Sequence, residues 1–151
     1  MEPQIEGTEK LLELQETLKE LTKKYPDRAG ELLKEDAKQL RKKIATEFKQ
    51  KTNTSTSRKS LGRAGSYKIS PVLGLGTNQY VEISAKSPHF HLVEHGHELV
   101  NGNGEKVGKG YVEGKHILDN EVKKHQNEFE DVVSGMIDTL LKENGLIWWL
   151  Y

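Results

Sequence analysis

The chain has 151 residues, enough for one domain with a modest core, and no cysteine, which excludes disulfides and thiolate-bound metal. Its 23 Lys and Arg balance 23 Asp and Glu, so no overall charge draws it to nucleic acid or an anionic membrane. No apolar run approaches the roughly 20 residues that span a bilayer. Met1-Glu2-Pro3-Gln4 lacks the basic and apolar regions of a signal peptide. The expectation is a soluble protein made in the cytoplasm.

Leu11, Leu14, Leu18 and Leu21 recur at three- and four-residue spacing, one apolar stripe on a helix of about four turns. Tyr25-Pro26-Asp27 is expected to break it, since proline disfavours helix at the residue before it and suits a new first turn. A second helix to about Lys51 carries Leu33, Ala37, Leu40, Ile44 and Phe48. The pair reads as an αα-hairpin or one long broken helix. From Asn53 to Ser66 the chain is rich in Ser, Thr, Gly and Lys/Arg, with Leu61 its one sizeable apolar residue. Such composition predicts a mobile basic loop.

Tyr67, Ile69 and Pro71 alternate with polar residues, as do Tyr80 to Ser84, and Gly74, Gly76 and Asn78 lie between. That pattern is a β-hairpin or two neighbouring antiparallel strands. Ser87-Pro88 starts a short helix that Gly96 stops. Asn101-Gly102 and Asn103-Gly104 mark turns in a glycine-rich loop reaching Gly110, after which Tyr111 and Val112 add a short edge strand.

The last helix begins near Lys115. Leu118, Val122, His125, Phe129, Val132, Val133, Met136, Ile137, Leu140 and Leu141 give it a wide apolar stripe, and Gly145 caps it. At about 1.5–3 kcal/mol per buried large side chain it is expected to be the main core element. Leu146-Ile147-Trp148-Trp149-Leu150-Tyr151 follows, an apolar segment expected to serve association between subunits or with a partner.

The fold class predicted is α+β: N-terminal helices, and a small antiparallel sheet of about three to four strands with the long C-terminal helix packed on it. The organisation is one domain, with a helical region 1–52, a flexible basic loop 53–66, an α+β core 67–145 and an apolar tail 146–151. Charge is unevenly spread. Arg41, Lys42, Lys43, Lys49, Lys51, Arg58, Lys59, Arg63 and Lys68 face only Glu47 in their stretch, and acidic residues gather before residue 37 and after 118. Such polarity suits complementary docking between subunits or a basic loop near DNA.

His91-Leu92-Val93-Glu94-His95 has the form H-x-x-E-H, in which two helical histidines bind zinc and the glutamate activates water. His89 and His97 extend the cluster. The helix stop at Gly96 and the lack of a marked third ligand argue against a catalytic centre, although His116 and Glu121 are within the later sequence. No catalytic residue, cofactor or bound metal is therefore expected, and His91, His95, His89 and His97 are candidates for loose metal binding alone. Gly104 to Gly110 fails the phosphate-loop pattern, with three residues between its first glycines and no Ser or Thr after the lysine. His125, on the apolar face of the last helix, reads as a packed, hydrogen-bonded core histidine. Arg58, Lys59, Leu61, Arg63, Trp148, Trp149 and Tyr151 are the interface candidates. The basic ones lack the interleaved aromatics that stack on bases.

From about residue 60 to 125 the segments, in order, resemble the phage tail-completion or head–tail joining family that includes gene product ten of lambdoid tailed phages. Ser60-Leu61-Gly62-Arg63-Ala64-Gly65-Ser66-Tyr67-Lys68 is similar to that family's basic entry into a strand. Val93, Glu94, Gly96 and His97 match the end of its Tyr-Val-Glu-x-Gly-His signature. Val112-Glu113-Gly114-Lys115-His116-Ile117-Leu118 resembles its Val-x-Gly-x-His-Met-Leu entry into the final helix. Phe90 stands where the family has a Tyr-Ala pair, and His91 and His95 are outside its usual pattern. The resemblance implies a non-enzymatic minor tail protein of the virion neck, assembled in the host bacterial cytoplasm. It implies self-association into a ring and contacts with the tail tube or the head–tail connector around the DNA channel. Val93, Glu94, Gly96 and His97 would then be structural, with Glu94 accepting hydrogen bonds at the turn. The competing expectations are a zinc-dependent hydrolase built on His91, Glu94 and His95, and a small DNA-binding module using the basic loop.

Overall fold

The computed structural model describes residues 8–52 and 61–146. The elements in chain order are α1 (Thr8–Lys51), a 3₁₀ turn (Ala64–Ser66), β1 (Tyr67–Ile69), β2 (Ile83–Ala85), α2 (Phe90–His95), β3 (Gly96–Val100), β4 (Lys106–Glu113) and α3 (Ile117–Glu143). The fold is α+β, with long helices at both ends of the chain and two small antiparallel ribbons between them.

The first departure from expectation is at Pro26, where α1 does not break but runs through as one helix. At 1.5 Å per residue it is about 66 Å long, against about 40 Å for α3. Proline removes one backbone donor, yet the apolar residues on both sides of it share one face, and α3 grips both sides. Tyr25, Ala29 and Leu33 line a cleft with Phe129, Val133 and Met136. The Arg28 guanidinium meets Glu143 at 2.9 Å. Tertiary packing overrides the local preference.

α3 lies antiparallel along α1, fixed by Arg28–Glu143 near one end and Lys43–Glu128 near the other. Here too the expectation changes, because α3 packs chiefly on a helix and not on a sheet. One helix cannot cover so wide a stripe. Ile117 and Leu140 are buried, while Val122, Val132 and Ile137 keep much of their surface in water.

The strands form two separate two-stranded ribbons instead of one sheet. In the first, Tyr67 pairs with Ala85, Lys68 with Ser84 and Ile69 with Ile83, and a further bridge joins Leu73 to Tyr80. This is the expected hairpin. The second ribbon was only partly legible. The stretch expected as a loop up to Gly110 is a β3–β4 hairpin, in which Gly96 pairs with Glu113 and His97 with Val112. The register shifts between Glu98 and Val100, and Gly108, with φ +65°, lies in the extra length of β4 opposite them. At the tip Asn101 Oδ1 accepts the backbone N–H groups of Asn103 and Glu105, both at 3.0 Å.

The core lies where the C-terminal half of α1 meets β1, α2 and the start of α3. Ile44, Ala45, Phe48, Leu61, Tyr67 and Ile117 are buried together, with Phe90, Val93 and Ile83 packed against them. Phe48, Tyr67 and Phe90 form an aromatic triad with centroids 5.6–6.3 Å apart, Tyr67 and Phe90 edge to face. Burial and the neighbouring Glu94 carboxylate push the Tyr67 phenol's ionisation upward, and its hydroxyl donates to Leu61 O at 2.8 Å.

Leu61 is thus corrected on both counts: it is neither part of a mobile loop nor an exposed interface residue, being 4% exposed. Gly62 makes this possible, since a Cβ there would stand 2.9 Å from Lys49 Cβ. The glycine lets the chain pass flush against α1. Phe48→Ala should remove the centre of the triad and cost about 3–5 kcal/mol, read as a fall in the denaturant midpoint at unchanged slope.

Candidate functional site

Two stretches far apart in sequence close on each other at the start of α3. Ser87 Oγ accepts the His89 N–H at 3.3 Å and opens the turn into α2. α2 ends at Gly96, whose φ of +85° belongs to glycine. A Cβ at Gly96 would lie 2.5 Å from Val112 O, and one at Gly114 would lie 2.4 Å from Glu94 O. The two glycines therefore allow the backbones around 94–96 and 112–114 to touch. Lys115 N–H donates to Val93 O at 2.8 Å and His116 N–H to Glu94 O at 3.1 Å.

α3 begins after His116, which sits in the left-handed region at φ 47°, ψ 39°, and offers no side-chain cap. Its place is taken by Glu94. The carboxylate accepts the N–H of Leu118 through Oε2 and that of Asp119 through Oε1, both at 3.1 Å. These are the second and third residues of the helix, whose donors have no partner within it. Glu94 is 1% exposed, and its charge faces the positive end of the α3 dipole.

This geometry decides the H-x-x-E-H motif. Glu94 turns inward and both its oxygens are engaged, while His91 and His95 stand exposed. His89 is exposed as well, and His97 is half-buried with Nδ1 3.4 Å from Leu92 O. Among the described residues, the group able to share an ion is Glu94, His116 and Asp119, which excludes both motif histidines. Both Glu94 oxygens in that group already serve the helix end, a place that favours anions over cations. No family model, curated protein or solved structure matches the chain.

Of the interface candidates, Arg63 is exposed at the start of the 3₁₀ turn, whereas Arg58, Lys59, Trp148, Trp149 and Tyr151 lie outside the described residues. Sequence reasoning missed a different surface. Leu99, Val100, Val107, Tyr111 and Val112 leave large apolar side chains in water on the β3–β4 ribbon, and Leu11, Leu12 and Leu18 do so on α1. The Asn-Gly turns with Val100, Val107, Tyr111 and Val112 around them were the available signal for the ribbon, obscured by the glycines among them.

His125 is buried, as its place on the apolar face implied. Its Nε2 lies 2.7 Å from Asp36 Oδ2, and its Nδ1 lies 3.8 Å from Glu128 without a hydrogen-bond partner. The pair borders an open groove of about 600 Å³ between α1, α3 and the residues leading into β2. It ties the two long helices together; no Ser, Thr, Cys or Lys is among the described residues lining the groove beside it.

Glu94→Ala should destabilise the fold by about 2 kcal/mol, because two helix-start donors lose their acceptor. Glu94→Gln should cost roughly half as much, keeping one acceptor oxygen, and urea melts of the three proteins will rank them. Chelator-washed protein should carry no stoichiometric zinc by elemental analysis, and His91→Ala with His95→Ala should leave the melting curve in place.

Proposed function

We propose that this chain is a non-enzymatic assembly subunit of a phage neck, one that completes the tail or joins it to the head. The supporting observation is the meeting of two of the three motifs on which the family resemblance rests. Val93-Glu94-His95-Gly96-His97 and Val112 to Leu118 are separate in sequence, yet they form one joint: Gly96 against Val112 and Gly114, and Glu94 on the first turn of α3. Their residues act by shaping the backbone, which suits a structural signature better than a catalytic one. The hydrolase reading loses its base, since the Glu94 carboxylate is enclosed and occupied.

In this reading the subunits associate into a ring around the DNA channel, in contact with the tail tube or connector, in the virion and earlier in the host cytoplasm. The β3–β4 ribbon is the surface best suited to it. A lone two-stranded ribbon is marginal in water, and this one bears exposed apolar side chains and open backbone edges. Arg63, beside the basic 53–60 stretch, is the residue placed to face DNA or an acidic partner. Within the basic stretch, Lys43 pairs with Glu128 and Lys51 with Glu47.

Electron microscopy of the purified protein, alone and with tail tubes, should show rings or density at tube ends; scattered monomers that ignore the tubes would sink the proposal. Leu99→Glu combined with Val107→Glu should change stability by no more than about 0.5 kcal/mol per site, both being exposed. The same pair should abolish ring or tube-end density. Steeply salt-dependent binding of duplex DNA without any assembly would favour the DNA-binding module instead.

A further inference from the structure

Asparagine is followed by glycine at three places, Asn101-Gly102, Asn103-Gly104 and Asn144-Gly145. The pairing carries chemistry of its own. Glycine has no β-carbon to keep its backbone nitrogen away from the preceding side-chain amide, so that nitrogen can attack the amide carbon and close a succinimide ring. Whether it does so in a folded chain depends on how firmly the two groups are held. The three pairs are held very differently.

Asn101 is clamped. Its Oδ1 accepts the N–H groups of Asn103 and Glu105, both at 3.0 Å, and its Nδ2 donates to Glu105 Oε2 at 3.0 Å. For the Gly102 nitrogen to take this amide, the tip of the ribbon must give up the bonds that shape it. Asn144 is half-buried at the end of α3, and its Nδ2 donates to Leu140 O at 2.7 Å. The nitrogen that would attack there, on Gly145, donates to Lys142 O at 3.1 Å. Asn103 differs from both. It is exposed in the turn between β3 and β4, and its side-chain amide has no hydrogen bond among the described residues. The Gly104 nitrogen makes one bond, to Asn101 O at 2.9 Å, in a turn open to water. The space around Gly104 is empty.

We propose that Asn103 is a site of spontaneous deamidation, converting ahead of Asn101 and Asn144. The Gly104 nitrogen gives up its proton and bonds to Cγ of Asn103. The Cγ–Nδ2 bond breaks, and the amide nitrogen leaves as ammonia with that proton. Water then opens the ring. Cleavage of the new Cγ–N bond leaves aspartate, while cleavage at the Asn103 main-chain carbonyl leaves isoaspartate, whose backbone runs through Cγ. One water enters and one ammonia leaves, with no oxidation or reduction. Either product adds a carboxylate to a chain of zero formal charge. Isoaspartate also lengthens the backbone by one carbon inside the turn that the Gly104–Asn101 bond closes, which loosens the tip of the β3–β4 ribbon. The reaction does not depend on the neck assignment.

Incubating the full chain at mildly alkaline pH and mapping its peptides by mass spectrometry, with fragmentation that separates Asn101 from Asn103, reads the three sites one by one. Asn103 should convert several-fold faster than Asn101 or Asn144. Isoaspartate should be among its products, since direct hydrolysis of the amide does not give it. In concentrated urea the three rates should draw together, because each pair is Asn-Gly and only the fold distinguishes them. Asn103→Gln, whose longer side chain closes its ring slowly, should remove the first acidic species to appear on ion exchange. No conversion at Asn103, or Asn101 or Asn144 converting as fast in the folded chain, would overturn the proposal. So would a ranking of sites that urea leaves unchanged, or aspartate formed without isoaspartate.

Discussion

The buried carboxylate of Glu94 is the contact on which the arrangement of the other elements turns. A helix start needs acceptors for its first N–H groups, and His116, held in a left-handed conformation at the start of α3, offers no side-chain cap. Glu94 supplies both oxygens from another helix, so the position of α2 sets where α3 begins. That contact requires two backbones to come closer than a β-carbon permits, which explains glycine at 96 and 114. The enclosed negative charge is offset by the helix dipole and two N–H donors, and after burial it is the second cause that pushes the pKa of the nearby Tyr67 phenol up. The Tyr67 hydroxyl donates to Leu61 O at 2.8 Å, which closes the core against α1.

From that joint the rest of the molecule extends along α1. The cross-helix ion pairs Arg28–Glu143 and Lys43–Glu128 are half in water and each contributes little to stability. Lys43 holds the Glu128 carboxyl below its usual range. Their value is in register, since both fit one antiparallel alignment of the two helices. Asp36–His125 adds a buried tie between them, where a misplaced helix would strand a polar group away from water.

How much of this could be read from the residues varied with the range of the interaction. Helix existence, the Gly96 and Gly145 stops, the first hairpin and the core role of His125 follow from local spacing, and all stand in the structure. Pro26 misled because its cost is local whereas the grip of α3 on both flanks is not. Leu61 misled because its polar neighbours resemble a loop, and only the approach of Gly62 to Lys49 shows that it docks. The H-x-x-E-H spacing is real in sequence, but helical spacing alone does not say that Glu94 faces inward while His91 and His95 face out. The partner donors, on Leu118 and Asp119, are backbone atoms and leave no side-chain signature.

A buried joint beside a ribbon with free edges would suit the assembly role proposed above. Docking costs the ordering of whatever was mobile before contact, so a surface held in place beforehand binds with less loss. The β3–β4 ribbon is tethered in this way at its base, where Gly96 pairs with Glu113 and the Tyr111 hydroxyl donates to His95 O at 2.9 Å. Its outer half, past the register shift, carries Leu99, Val100 and Val107 away from that base. Stability therefore resides where Glu94 meets α3, and exposed apolar surface lies beyond it. Substitutions in the ribbon's outer half leave that joint untouched, whereas the glycines and the glutamate at the joint have no such freedom.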